Sequence, residues 1–146
     1  MALVAACFPL QGTADVNALG LEMPRQADAL EPYRWNNRLL LVFAPSPEDA
    51  LFLEQLAELE AERTGLIERD LLVLTDTDPE RSSDLRYGLE IEGFQVLLVG
   101  KDGGVKIRSR TPVRTEALFA TIDAMPMRQR EIQNNPGAAR RRSGDG

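Results

Sequence analysis

The stretch from Phe94 to Arg110, FQVLLVGKDGGVKIRSR, constrains this chain more than any other. An apolar run, Val96–Val99 entered through Gln95, stops at Gly100, and Lys101-Asp102-Gly103-Gly104 then supplies turn residues. Val105-Lys106-Ile107-Arg108 resumes with strict apolar/polar alternation. Asp-Gly and Gly-Gly pairs tolerate the positive φ that a tight reversal requires. The pattern predicts a hairpin whose first strand is buried on both faces and whose second strand has one wet, basic face. A lone hairpin has no core of its own, so the rest of the chain must supply the layers that cover it.

Those layers can be read in order. Leu39–Ala44, LLLVFA, is an apolar run ended by Pro45 and predicts a central strand buried on both faces. Ser46-Pro47-Glu48-Asp49 follows as a helix start, with Ser46 as cap, Pro47 at the first helical position and Asp49 as reciprocal carboxylate. Phe52, Leu53, Leu56 and Leu59 form the apolar stripe of that helix, Glu54, Glu58 and Glu62 its opposite face, and Gly65 its left-handed stop. Leu71–Leu74 is a second buried strand. Strand, helix and strand make a parallel crossover, right-handed by default. Thr75–Ser83 reads as a polar loop, and Asp84–Tyr87, closed by Gly88, as a short helix. Beyond the hairpin, Leu118, Phe119, Ile122 and Met125 define a last helix that Pro126 ends or kinks, with Met127–Gln133 continuing for a further turn or two.

The order is strand, helix, strand, short helix, strand, strand, helix. A parallel crossover followed by an antiparallel hairpin and a covering helix is the plan of the thioredoxin core. The expected fold is therefore α/β and thioredoxin-like, β-α-β-α-β-β-α, with a four-stranded mixed sheet and the domain at 33–133. Residues 134–146, with Arg140-Arg141-Arg142 among Gly, Ala and Ser, have nothing to bury and read as a disordered tail. Residues 1–32 show no sustained periodicity and read as an N-terminal arm or a signal remnant. Val4-Ala5-Ala6-Cys7 resembles a bacterial lipoprotein box, Val16-Asn17-Ala18 loosely suits a small-residue cleavage site, and a loosely packed or disordered arm is the plain alternative. A secreted or periplasmic setting is expected from the first two, a cytoplasmic one from the third.

Composition excludes whole classes of chemistry. The chain has no histidine, which removes Ser-His triads, imidazole ligands and histidine acid–base work. Its one cysteine, Cys7, rules out an internal disulfide, a CxxC pair and a cysteine-rich zinc site. A formal charge of −6 argues against a general nucleic-acid binder. No run approaches the roughly 20 apolar residues of a membrane span.

Several stretches together resemble one family: Tyr33-Arg34-Trp35 with Arg38–Phe43, Gly93-Phe94 with Leu98–Lys106, and Ile122-Asp123-Ala124-Met125-Pro126-Met127-Arg128. It is the thioredoxin-like family called domain of unknown function 4174, met in small bacterial proteins and, as a similar domain, in animal extracellular-matrix proteins with sushi repeats. The resemblance spans roughly residues 32–132. It implies the fold and a tendency toward secreted settings, and it brings no reaction.

In thioredoxin-like enzymes the reactive cysteine lies between the first core strand and the following helix, where the helix N-terminus lowers its pKa. Here that segment reads Ala44-Pro45-Ser46-Pro47-Glu48-Asp49-Ala50, without a thiol. The neighbourhood of the usual cis-proline holds Phe94 and Gln95. No catalytic residue and no thiol chemistry is expected, since Cys7 precedes this position by more than 30 residues. Ser46 has no histidine to activate it and reads as a cap. Asp76, Asp78 and Glu80 lack the glycine and closing glutamate of a calcium loop. Gly100-Lys101 lacks the rest of a phosphate-binding loop. No metal and no cofactor is expected.

Charge marks the remaining candidates. Lys101, Lys106, Arg108, Arg110 and Arg114 cluster in an acidic chain, either to steer an acidic partner or to keep an edge strand from pairing. The family motifs single out Arg38, Lys101, Asp102, Asp123 and Arg128. These fasten the last helix to the sheet, with Trp35, Met125 and Met127 closing the seam, or they bind an anion or acidic peptide at a sheet end. The candidate binding set is thus Arg38, Lys101, Asp102, Lys106, Asp123 and Arg128. The expected function is a redox-inactive module that binds a protein or peptide. The alternative is a non-thiol enzyme using charged residues near Arg38, Lys101, Asp102 and Arg128.

Overall fold

The structure, a computed structural model, describes residues 19–81 and 83–135. Expectations that fall on Cys7, on Val16–Ala18 and on residues 136–146 lie outside the described residues. The elements run β1 (Leu21–Glu22), a 3-10 helix (Ala27–Tyr33), β2 (Arg38–Phe43), α1 (Ala50–Ala61), α2 (Arg63–Glu68), β3 (Leu71–Asp76), α3 (Asp84–Gly88), β4 (Gln95–Val99), β5 (Val105–Ser109), α4 (Thr115–Asp123) and α5 (Pro126–Asn134).

The sheet has five strands in the order β1-β3-β2-β4-β5, one more than the sequence predicted. The crossover β2-α-β3 is parallel, with Leu40 opposite Val73, and the β4–β5 hairpin continues the sheet antiparallel, with Leu40 opposite Leu98. That is the thioredoxin-like core. The additional strand comes from the expected N-terminal arm. Leu21 and Glu22 pair in parallel with Leu74 and Thr75, and the Met23 N–H donates to the Thr75 carbonyl at 2.9 Å. β3 runs two residues further than its apolar stretch, to Asp76, and so offers an edge for them. Two residues carry no readable periodicity, which is why the sequence did not announce this strand.

Strand alternation sorts the core into two layers. Leu40, Val42, Val73, Val96 and Leu98 meet Phe52, Leu59, Leu66, Leu118 and Ile122 from α1, α2 and α4. Leu39, Leu41, Phe43, Leu97 and Val99 face the other way, toward Leu85 of α3, Leu89 just past it, and Leu30 and Tyr33 of the 3-10 helix. Every residue of β2 and β4 is buried, as double-sided coverage requires, while β5 exposes Lys106 and Arg108.

Local details depart from expectation around α1. The cap is Asp49, whose carboxylate accepts from the Phe52 N–H at 3.1 Å. Ser46 instead offers its carbonyl to the Asp49 N–H at 3.2 Å. The buried face is Phe52, Gln55 and Leu59, and Leu53 is exposed. Gln55 replaces it in the seam because its amide clamps Val113, donating to the carbonyl at 3.0 Å and accepting from the N–H at 2.7 Å. Glu58, expected on the solvent face, accepts from the Thr115 N–H at 3.1 Å and so holds the start of α4.

Gly65 does not stop the helix. The break falls at Glu62, and Gly65 lies inside α2, where it makes room for a ring: a Cβ there would sit 2.5 Å from Phe119 Cε2. The Arg69 guanidinium lies over the same ring, 3.9 Å from its centroid, and donates to the Gly65 carbonyl at 2.9 Å. Gly65→Ala gains roughly 1 kcal/mol of helix propensity but incurs an overpacking cost of about 1–3 kcal/mol. Urea unfolding of Gly65→Ala is therefore expected to show a net loss of about 1 kcal/mol, whereas an uncrowded helical glycine would show a gain.

Candidate functional site

The sheet presents two ends, and they differ. At the C-terminal end of β2 lies the segment that bears the reactive thiol in thioredoxin-like enzymes, here Ala44 to Ala50 without a cysteine. Arg86 from α3 occupies this end. Its Nη2 donates to the Ala44 carbonyl and to the Asp76 carbonyl, both at 3.0 Å, and its Nε donates to Asp76 Oδ2 at 2.9 Å. The guanidinium lies over the Phe43 ring, 5.5 Å from its centroid. Asp76, considered above as part of a calcium loop, thus has its carboxylate on an arginine.

The opposite end, where β2 begins and β4 finishes, gathers the family-motif residues. Arg38 opens β2 and is fully buried. Its Nη1 donates to the Arg69 carbonyl at 2.8 Å, and Nη1 and Nη2 fork onto Glu131 of α5 at 3.3 and 3.1 Å. Lys101, just past β4, donates to the same Glu131 at 2.7 Å and to Asp70 at 2.9 Å. Behind them Asp123, at the end of α4, takes a two-pronged Arg69 at 3.1 and 2.9 Å and Arg128 Nε at 3.1 Å. Arg128 Nη1 reaches back to the Glu68 carbonyl at 3.1 Å. The last helix is thereby fastened to the sheet by charge-assisted hydrogen bonds, the strongest kind available to side chains. Burial alone would push the Glu131 carboxyl up, but the hydrogen bonds from Lys101 and Arg38 outweigh it and hold the group below the usual carboxylate range.

Local sequence explains how α5 delivers Glu131. Pro126 restarts the chain as the first residue of a new helix, and Met125 precedes it in extended conformation. Arg128 and Glu131 lie three apart on one face of that helix, so both turn inward together.

In front of this network opens a cleft of about 530 Å³. Its apolar lining is Trp35, Met125, Pro126 and Met127. Its charged lining is Arg38, Lys101, Asp102, Lys106 and Arg130. Trp35 is 59% exposed and holds a left-handed backbone at φ 70°, its N–H donating to the Lys101 carbonyl at 2.6 Å. A bulky side chain at such a φ costs roughly 1–2 kcal/mol and persists only where its surroundings fix it. Gly103, at φ 87°, gives the β4–β5 turn its reversal. Asp102 accepts from the Gly104 N–H at 2.9 Å and from Lys106 at 3.0 Å, and these contacts, the backbone one first, hold its carboxyl low.

Of the six predicted residues, Arg38, Lys101, Asp102 and Lys106 line the cleft, and Asp123 and Arg128 stand behind it in the network. Sequence reasoning missed Glu131, Asp70 and Arg69, the partners of those charges, and Arg130 on the rim. The only available signal was the spacing of Glu131 three residues after Arg128. Trp35, expected to close a seam, instead stands largely open to solvent.

Comparison with known proteins agrees with the sequence resemblance. Residues 29–131 match the family model described as Domain of unknown function (DUF4174). The chain is similar to Coiled-coil domain-containing protein 80 of Danio rerio, with 30% identity over 133 aligned residues. The match takes in 70% of this chain and only 15% of that much longer protein. Among solved structures it is similar to thioredoxin peroxidase I of Plasmodium yoelii, with a TM-score of 0.49 and 13% identity over 73% of this chain and 80% of that one. With most of its described length inside the matched segment, this chain belongs to the DUF4174 family.

Proposed function

We propose that this member of the DUF4174 family works by binding a protein or peptide partner rather than by thiol exchange. The observation that carries the reading is the cleft at the start of β2, where an exposed tryptophan on a strained backbone faces two methionines and a proline. Exposed aromatic side chains beside adaptable methionines are typical anchors of recognition surfaces. The other sheet end supports the same reading, because Arg86 fills it where a thiol enzyme would keep it open. The ion pairs behind the cleft then serve to hold its walls in place. An extracytoplasmic setting, secreted or periplasmic, belongs to this proposal as well.

Selection from a displayed random-peptide library tests it. Peptides enriched on the wild-type protein are expected to lose about tenfold or more in affinity for Trp35→Ala, the loss of one aromatic anchor. Wild-type and Cys7→Ser proteins are expected to be equally inert in insulin-reduction and thiol-peroxidase assays. Binders indifferent to Trp35→Ala, or a peroxidase turnover abolished by Cys7→Ser, would overturn the reading.

A further inference from the structure

We propose that the cleft takes an acidic peptide segment, with an apolar side chain against Trp35, Met125 and Met127 and carboxylates toward Lys106 and Arg130. The inference rests on the binding reading above and names the chemistry of its ligand.

Charge complementarity is the first argument. The chain carries a formal charge of −6, yet the cleft is lined by four cations and one carboxylate, Asp102; Glu131 and Asp70 take up Arg38 and Lys101, which leaves Lys106 and Arg130 to meet a ligand. Arg130 is exposed and makes no ion pair among the described residues, so its guanidinium is available at the rim. Lys106 is a third exposed, and its bond to Asp102 is a surface pair of the kind worth little in water. A ligand carboxylate can replace that partner at small cost.

The second argument comes from the floor. Arg38 lines the cleft and is fully buried, and among the described residues its Nε has no hydrogen-bond partner. A buried cation with an unmet donor favours negative charge in the cleft beside it. The nine-residue helix α5 adds its partly positive N-terminal end, since Pro126 and Met127 of its first turn line the cleft. The apolar lining decides between sources of negative charge: methionine and proline beside an exposed indole suit an aliphatic or aromatic side chain, which a sulfated polysaccharide lacks.

Trp35 is the sole tryptophan of the chain, so its fluorescence reports directly on occupancy. The probes are a short acetylated peptide with Glu on both sides of one Phe, the same peptide with Gln for Glu, the same with Lys for Glu, and a heparin fragment. The Glu peptide is expected to shift the emission at concentrations where the Gln and Lys peptides do not. Arg130→Glu and, separately, Lys106→Gln are expected to weaken it by about fivefold each, and raising salt from about 0.05 to about 0.5 M to weaken it by a similar factor. Equal binding of the Gln peptide, dependent on Trp35, would overturn the acidic assignment and leave the binding reading standing. Heparin binding without Glu-peptide binding, or self-association of the protein that buries Trp35, would overturn the peptide assignment. Library binders that ignore Trp35 would remove both.

Discussion

Glu131→Gln is expected to lower the stability of the domain by about 3 kcal/mol, even though the substitution keeps the size and shape of the side chain. The reason is what it leaves behind. Arg38 is fully buried, and among the described residues its only charged acceptor is the Glu131 carboxylate at 3.1 and 3.3 Å, which Lys101 shares at 2.7 Å. Neutralising that acceptor strands a buried cation, and such losses exceed the net worth of the pair itself. Calorimetry should read a fall in Tm on the order of 10 °C. Arg38→Met combined with Glu131→Leu removes the stranded cation and is expected to recover part of the loss, since Lys101 gives up Glu131 but keeps Asp70 at 2.9 Å. The pH dependence follows from the same group. Its pKa is lower in the folded protein than in the unfolded chain, so its contribution is full above the unfolded value and is lost as pH falls through the folded one. The wild-type protein should thus lose stability on acidification through the carboxylate range, and Glu131→Gln should lose less over that interval. Equal acid limbs for the two proteins would contradict the assignment.

Arg86→Met is expected to cost a further large amount at the other sheet end, again about 3 kcal/mol. Arg86 and Asp76 are both largely buried, with side chains 11% and 14% exposed. Without the guanidinium, the Asp76 carboxylate and the Ala44 carbonyl lose the donors that now sit at 2.9 and 3.0 Å. Arg86→Lys keeps the charge but cannot reproduce the fork, and its stability in urea should fall between the other two. Wild-type-like unfolding of Arg86→Met would show that this end is held by packing alone.

Much of the fold was legible because its central strands are unambiguous. Leu39–Ala44 and Val96–Val99 are short continuous apolar runs ended by proline and glycine, the pattern of doubly covered strands. The turn at Asp102–Gly104 carried its own chemistry. What escaped notice was set by partners far away in sequence. β1 is two residues long and exists because β3 offers an edge. Gly65 reads as a helix stop until Phe119 is known to need its space. Leu53 lies on a plausible stripe and is displaced by Gln55, whose amide matches the backbone of Val113. The candidate site shows the same division. Arg38, Lys101, Asp123 and Arg128 stood out through family motifs. Their partners Glu131, Asp70 and Arg69 are surface-type residues in any local window, and only the angle at which α5 returns to the sheet turns Glu131 inward.

That return also sets an order of assembly. The hairpin closes over a handful of residues, whereas the Arg38–Glu131 contact joins positions 93 apart. The seat for Glu131, Arg38 beside Lys101, exists only once β2 and β4 have paired, so the docking of α5 is expected among the late steps of folding and the first excursions of the native state. The walls on either side of Met125 and Lys101 come together in that final step. Anything lodged between them acts as a clasp, shifting the balance from the undocked helix to the docked one by mass action.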